Sequence, residues 1–479
     1  MSFLNEFDKA TTVKETENGA LAYTTTDSKM VDFFSAIGSM RQRDEKDIID
    51  LYTSAREEDK ELADKVILYA RDIRGGLGER RIGKILLRTL ANIDPQKVIR
   101  NFQLFVDMGR FDDLYCLEGT KVEDDMWKFM KETILTDYSK AKEGKPISLL
   151  AKWMKSINTS SKESRRLAKK FCSISHLSEK TYRKMLSALR SYTNVVETKM
   201  SANQWESINY ETVPSVAMKR YSYAFNRRDF DRFNDFKSAV ASGKAKINAT
   251  TLYPYDIIEE LLYKGGAADS DILEAQWKAL PEYFKEGHNV ICCADVSGSM
   301  YGQPMAASIG LAMYCAAHNT GDYHGYFLTF TDEPRFFKLD ENESLEANVN
   351  KVAEEVGYNT NIYGMLSAVY NMAVKAQESP EALLIVSDCE IDRFNYDPRN
   401  YEDIVETWTK KYKEQGLTMP KLIFWNVEAR QNTFLGKHTN PYVSFVSGCS
   451  ASTFANLTQL INLSAYEAMR AILDKYEFN

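Results

Sequence analysis

The stretch Asn289 to Gly302, NVICCADVSGSMYG, decides the fold of this chain. Val290 to Ala294 is an almost unbroken apolar run of the kind a strand buried on both faces needs, and it stops at Asp295, Ser297, Gly298 and Ser299. Polar chemistry therefore sits at the carboxyl end of a strand. Pro304 to His318, PMAASIGLAMYCAAH, follows as a buried helix rich in Ala and Met, with Pro304 suited to its first turn. Strand, polar loop and helix in this order put three oxygen ligands in the crevice above a parallel sheet, where open α/β sheets bind ligands. The spacing D-x-S-x-S aims one carboxylate and two hydroxyls at a single point. Such donors suit Mg2+ or Mn2+, octahedral at about 2.0–2.1 Å with water in the open positions. An ordinary Asx-capped turn would carry the same five residues.

Two downstream pieces occur in the order such a site needs. Gly357 to Asn361 is a polar loop before a helical run, and Thr360 offers a third hydroxyl. Ala382 to Val386, ALLIV, is a second buried strand that ends in Ser387 and Asp388. Asp295, Ser297, Ser299, Thr360 and Asp388 resemble the metal-ion-dependent adhesion site of a von Willebrand factor A domain, and that resemblance covers about the last two fifths of the chain.

At 479 residues the chain exceeds what one core usually organises, so two domains are expected. Hydrophobic residues at 44%, charged residues at 27% and aromatic residues at 12% are those of a folded globular protein. A net charge of -7 predicts no polyanion partner by itself, although a mean conceals local segregation. The seven cysteines show no C-x-x-C spacing and read as reduced core thiols of a cytoplasmic protein. The start, MSFLNEFDKATT, lacks a signal-peptide pattern, and no apolar run reaches the ~20 residues of a bilayer span, so neither secretion nor a membrane is expected.

Residues 1–285 show no good strand pattern. They read as amphipathic helices, among them Lys29 to Ile37, Glu45 to Ala55, Lys60 to Arg71, Arg80 to Leu90 and Lys97 to Met108, joined by short turns. A stacked, HEAT-like array is expected, with room for about seven pairs at ~40 residues each. Residues 286–479 alternate strand and helix, adding strands at Gly325 to Phe330, Lys421 to Val427 and Val443 to Val446, and a closing helix from Thr458 to Tyr476. That pattern implies a Rossmann-like parallel sheet covered on both faces. Glu286 to Asn289 mark the boundary.

Three places stand out in the helical half. Arg71 to Arg81, RDIRGGLGERR, sets a glycine turn between cations, which reads as a helix-to-helix turn before it reads as a phosphate cradle, since it lacks the Lys-Ser/Thr of a P-loop. From Ser139 to Arg190, fourteen Lys or Arg face three Glu inside an acidic chain. A solvated helix face is the ordinary reading of a charge run, but such faces mix signs, and charge so segregated points to a polyanion-binding surface, with Lys152, Lys155, Lys162, Arg165, Arg166, Lys169, Lys170, Arg183 and Lys184 as its candidates. Trp153, Tyr182 and Tyr192 lie among them, where they either stack on unpaired bases or pack as core. Tyr192 to Phe236 extends the basic character through Lys219, Arg220, Arg227, Arg228 and Arg232, while Trp205, Ile208, Tyr210 and Val213 read as packing.

A helical array followed by a von Willebrand-type domain is similar to the Ro autoantigen, or TROVE, family, and more closely to an uncharacterised TROVE-like family of phages and plants. The turn R-G-G-x-G-E-R at Arg74 to Arg80, G-R-F-D-D-L at Gly109 to Leu114, V-P-S at Val213 to Ser215, W-K-A-L at Trp277 to Leu280 and S-D-x-E at Ser387 to Glu390 carry the likeness. The resemblance implies a ribonucleoprotein. Small non-coding RNA would lie on the basic outer surface, single-stranded RNA ends would enter a ring closed against the A domain, and the metal would hold a partner protein's Asp or Glu. The chain departs from the A-domain pattern at Asn361, where many have Asp, and at Cys389, where glycine is usual. The five histidines form no spaced cluster and no nucleophile motif appears, so a non-catalytic, monomeric RNA scaffold is expected. The alternative is a protein-interaction module, such as a phage structural or assembly factor, working through the metal loop without RNA.

Overall fold

The computed structural model describes residues 13–193, 195–265, 268–284, 287–392 and 404–479. The expected boundary at 285 and 286, with Glu286, and the start MSFLNEFDKATT lie outside them. Eight strands are described: β1 (Val13–Glu15), β2 (Leu21–Tyr23), β3 (Val290–Asp295), β4 (Tyr326–Phe330), β5 (Arg335–Lys338), β6 (Ala382–Ser387), β7 (Lys421–Asn426) and β8 (Val443–Ser447). The last six form one sheet in the order β5-β4-β3-β6-β7-β8, parallel except for the antiparallel edge strand β5. Every residue of β3, β6 and β8 is buried, as strands covered on both faces require. The connection from β3 turns one way, to β4, and that from β6 turns the other way, to β7. The crevice above β3 and β6 is therefore the switch point where such sheets bind ligands.

The helical half contains α1 (Lys29–Ala36), α2 (Glu45–Glu58), α3 (Lys60–Arg71), α4 (Arg80–Ile93), α5 (Pro95–Arg100), α6 (Phe102–Met108), α7 (Glu123–Lys142), α8 (Leu150–Trp153), α9 (Lys162–Ser175), α10 (Glu179–Tyr192), α11 (Val196–Ser201), α12 (Ser215–Arg228), α13 (Phe230–Ala241), α14 (Pro254–Tyr263) and α15 (Ser270–Lys278). Side-chain caps begin several of them: Ser28, Asp59, Asp94, Ser161, Ser178 and Asp269 each accept a hydrogen bond from a backbone N–H of the first turn. The sheet is flanked by α16 (Gln303–His318), α17 (Leu345–Ala353), α18 (Ile362–Ala376), α19 (Ile404–Glu414), α20 (Leu457–Asn462) and α21 (Ala465–Leu473).

Three expectations need correction. The helix expected over Lys97 to Met108 is two short ones, because Asn101 folds back to accept from Asn479 N and donate to Lys97 O. The closing helix breaks before Ser464, whose hydroxyl and Glu467 make a capping box that starts α21 afresh. The helical half does contain strands. β1 and β2 form an antiparallel hairpin too short to show a period of two, and its Tyr23 pairs with Phe434 in the sheet domain.

One continuous cluster of buried apolar side chains runs from Phe33, Tyr69, Leu86 and Trp127 of the array into Val290, Leu384, Trp425 and Leu473 of the sheet domain. Both ends of the array dock there. At the near end, Gly38 lies so close to β8 that a Cβ would stand 2.7 Å from Gly448 N. At the far end, Gly310 of α16 would bring a Cβ to 3.1 Å from the backbone of Pro254 and Tyr255. Val196, Ile208, Tyr210, Val213, Phe225 and Phe233 form a second, separate cluster.

The glycine turn joins these parts. The amides of Leu77, Gly78 and Glu79 donate to Tyr69 O, Asp72 O and Ala70 O, so they are not free to cradle a phosphate. Ser452 donates to Gly76 O, Tyr476 to Asp72, and Tyr253 Oη to Ile73 O. Gly78 has φ 68°, and a Cβ there would overlap the Tyr253 hydroxyl. Arg71 pairs with Asp113 at 2.7 Å and Arg41 with Glu79 at 2.5 Å, all four side chains largely removed from water.

Asp113→Ala leaves the Arg71 guanidinium buried without its partner and is expected to lower the unfolding free energy by about 3–5 kcal/mol in urea titration. A loss under about 1 kcal/mol would show that the pair does not hold the junction.

Candidate metal centre and nucleic-acid interface

Asp295 closes β3 and is fully buried. Its Oδ1 accepts from Ser297 N at 2.9 Å and its Oδ2 from Ser387 Oγ at 2.5 Å. The loop then turns through a short 3-10 segment, Gly298–Met300, which brings Ser297 Oγ to 3.1 Å from Ser299 Oγ. Ser297 bridges in parallel to Gly357, and this docks the second loop against the first. Thr360 follows, fully buried, its amide donating to Asp392 at 2.7 Å. Asp388 lies just beyond β6, with Oδ1 accepting from Glu390 N at 3.0 Å. All five expected ligands thus come from three loops that converge on the crevice above β3 and β6.

Two buried atoms of the expected ligands make no hydrogen bond, Thr360 Oγ1 and Asp388 Oδ2, and neither does the neighbouring Glu390 Oε1. Buried polar atoms are ordinarily satisfied, so the two ligand atoms have coordinating capacity to spare, which fits a hard cation. Electrostatics agree. Burial first, and the charge of Asp388 second, push the Asp295 carboxyl up to about 7, and burial raises Asp388 as well. Two carboxylates and three hydroxyls are a hard donor set that fits Mg2+ or Mn2+. Among the described residues no cluster of three or more His, Cys, Asp or Glu has metal-binding geometry, so any site here depends on hydroxyl donors.

The two departures from the A-domain pattern differ in what surrounds them. Asn361 Oδ1 caps α18 at Gly364 N, 2.8 Å, and its Nδ2 donates to Asp332 O, so it orders the loop and does not add charge. Cys389 has φ 61°, the left-handed region glycine favours. Ser387, Glu390, Asp392, Glu17 and Arg430 were not singled out by the sequence as site residues. Ser387 and Glu390 sit inside the S-D-x-E run, whereas nothing in the sequence marks Arg430, which stands 3.4 Å from Asp388 Oδ2.

The cationic segment divides into paired and free side chains. Arg166 bonds both Glu118 and Glu163, and Lys170 joins Glu118 and Glu123. These cations hold the Glu118 carboxyl down to about 2, Arg166 contributing most. Lys169 lies 3.8 Å from Glu179, Arg165 donates to Thr159 O, and Lys155 rests over the Tyr115 ring. Lys152, Lys162, Arg183 and Lys184 are exposed and have no ion pair among the described residues. Tyr182 is core, its hydroxyl donating to Lys155 O, while Trp153 lies under Arg110 and Lys152. A second surface follows on α12. Its buried face carries Met218 and Phe225, and the opposite face presents Arg220, Tyr223 and Arg227, with Phe230 next along; Tyr223 is 63% and Phe230 61% exposed.

Comparison with known proteins adds relatives without an assigned role. Residues 16–109 and 148–288 match DUF2828, a domain of unknown function, and residues 289–464 match DUF7788, another. Uncharacterized protein L728 of Acanthamoeba polyphaga mimivirus is 28% identical over 510 residues, covering 97% of this chain and 88% of that protein. The crystal structure of Deinococcus radiodurans RO (RSR) protein aligns with 94% of this chain and 99% of its own, at a TM-score of 0.36 and 13% identity. Among the described residues no helix is long and apolar enough to cross a membrane, and all seven cysteines are free thiols.

Asp295→Asn and Asp388→Asn are each expected to abolish Mn2+ uptake measured by calorimetry, and undiminished uptake in both variants removes the site. The pH dependence has a definite sign. An acid raised by folding stabilises the fold while protonated, so the Asp295 contribution is full below about 3.8 and fades as pH rises through about 7. Without divalent ions the unfolding midpoint should drop between about pH 5.5 and about pH 8, less so in Asp295→Asn, and Mn2+ should restore it in the unmutated chain alone.

Proposed function

We propose that this chain is a non-catalytic RNA-binding scaffold of Ro-like type. Exposed cations on α8, α9 and α10 receive the phosphates of a small structured RNA. The metal loop grips a carboxylate of a partner protein. The observation that carries the RNA reading is the set Lys152, Lys162, Arg183 and Lys184, four solvent-facing cations without a carboxylate partner among the described residues, in a chain whose net charge is -7. Cations left unneutralised in an acidic protein are held available for an anion, and a polyphosphate releases counterions when it binds them. Shape and unpaired bases would supply specificity.

In the crevice, a bound divalent ion would supply a Lewis-acid position open to a partner's carboxylate. The chain's own residues fix where that position lies: Ser387 orients Asp295, Glu390 N orients Asp388, and the Ser297–Gly357 bridge sets Thr360. A second reading, a protein-interaction module without RNA, is favoured by two observations. Tyr358 is 93% and Tyr301 77% exposed on the loops that carry Thr360 and Ser299, which gives the crevice an aromatic rim of the composition found at protein interfaces. In addition, Arg166 and Lys170 are neutralised within the chain.

The deciding experiment is purification from the native host without nuclease, followed by sequencing of the nucleic acid that accompanies the protein. A discrete small RNA is expected, and its affinity should fall at least about 100-fold at low salt when Lys152, Lys162, Arg183 and Lys184 are all changed to Glu, with a shallower salt dependence. Arg166→Glu should instead lower stability with little effect on RNA. No RNA enriched over the four-fold variant would leave the protein-interaction module.

A further inference from the structure

Arg430 lies in the segment after β7 and reaches back over the crevice. Its Nη2 donates to Ser299 O at 2.7 Å and stands 3.4 Å from Asp388 Oδ2, while its Nη1 donates to Glu17 Oε2 at 2.7 Å. Glu17 belongs to the turn of the β1–β2 hairpin. That turn is tied to the loop following Asp388: Glu17 N donates to Glu390 Oε2, Asn18 Nδ2 to Glu390 O, and Thr16 Oγ1 to Ile391 O, each at 2.7 Å. Gln431, next to Arg430, donates to the same Glu390 Oε2 at 3.0 Å. The guanidinium is thus aimed from both ends, by the hairpin and by its own segment, at Asp388 Oδ2, a buried carboxylate oxygen that has no hydrogen bond.

The geometry has two consequences. At 3.4 Å Arg430 supplies Asp388 with opposite charge but no well-formed hydrogen bond, so it compensates the carboxylate without satisfying it. A divalent ion coordinated by the buried Asp388 would sit a few ångströms from a fixed positive charge, and like charges at that separation repel strongly. Side-chain exposure of 35% leaves the guanidinium a way out toward solvent, still tethered through Glu17.

On the premise that the crevice takes a divalent ion, we infer that Arg430 is a resident counter-cation that competes with the ion for Asp388, held in place by Glu17 of the N-terminal hairpin. Arg430 is a positioning residue in this scheme. It lowers the affinity of the crevice for divalent ions and makes the hairpin part of the metal site, although hairpin and metal loop lie far apart in the sequence. A carboxylate arriving from a partner would meet both the ion and the displaced guanidinium.

The test is Mn2+ binding to the full-length chain by calorimetry at low ionic strength, with folding checked by circular dichroism. R430Q is expected to bind Mn2+ at least about tenfold more tightly than the unmutated chain, and D388N should abolish binding in both backgrounds. R430Q should also melt lower without metal and gain more from saturating Mn2+, a readout independent of any partner. R430K, whose single ammonium cannot bridge Glu17 and Ser299 O together, should shift affinity the same way to a smaller extent, and it serves if R430Q does not fold. Equal or weaker Mn2+ binding in a folded Arg430 variant overturns the competition while leaving the metal site standing. Absence of Mn2+ binding in the unmutated chain and in both Arg430 variants overturns the site and the inference together.

Discussion

The ion pair between Arg71 and Asp113 is almost wholly removed from water, so its geometry has to be maintained by everything packed around it. Its partners come from the glycine turn and from the Gly109 to Leu114 run. Around them Arg41 clamps Glu79, Tyr253 closes over Gly78, and Ser452 and Tyr476 reach in from the sheet domain. Start of the array, end of the array and sheet domain therefore meet at one point. The helical half leaves the sheet domain and returns to it, and the two halves share a single core there.

That junction fixes the sheet domain from two sides, through α1 against β8 and α14 against α16, and leaves the carboxyl ends of β3 and β6 to the loops of the crevice. The crevice is where the chain tolerates unfavourable electrostatics. Two buried carboxylates, Asp295 and Asp388, act on each other there, and Thr360 Oγ1 and Asp388 Oδ2 lack a hydrogen bond. Arg430 is the cation the chain itself supplies, at a distance that relieves charge without completing a bond.

The basic segment shows why a count of charges is not a surface. Glu118 and Glu123 lie outside the segment in sequence, yet they neutralise Arg166 and Lys170. What faces solvent unpaired among those candidates is a smaller set spread over α8, α9 and α10, while α12 presents Arg220 and Arg227, which the sequence had read as extending the basic character, beside an exposed Tyr223.

Taken alone, the sequence determined the strand, loop and helix order of the C-terminal half and singled out five candidate ligands. Burial on both faces forces an unbroken apolar run, and four of the candidates, Asp295, Ser297, Ser299 and Asp388, follow the end of such a run directly, so both are local signals. It also determined the helical character of the first half, although three-residue strands and the break at Ser464 are too short to leave a period. Tertiary structure alone decided that the glycine turn is a structural joint, that Arg166 and Lys170 are neutralised, and that Glu17 and Arg430, 413 residues apart, flank the candidate ligands. These depend on which side chains meet across the core, and a pairing between distant residues leaves no pattern in either one's neighbours.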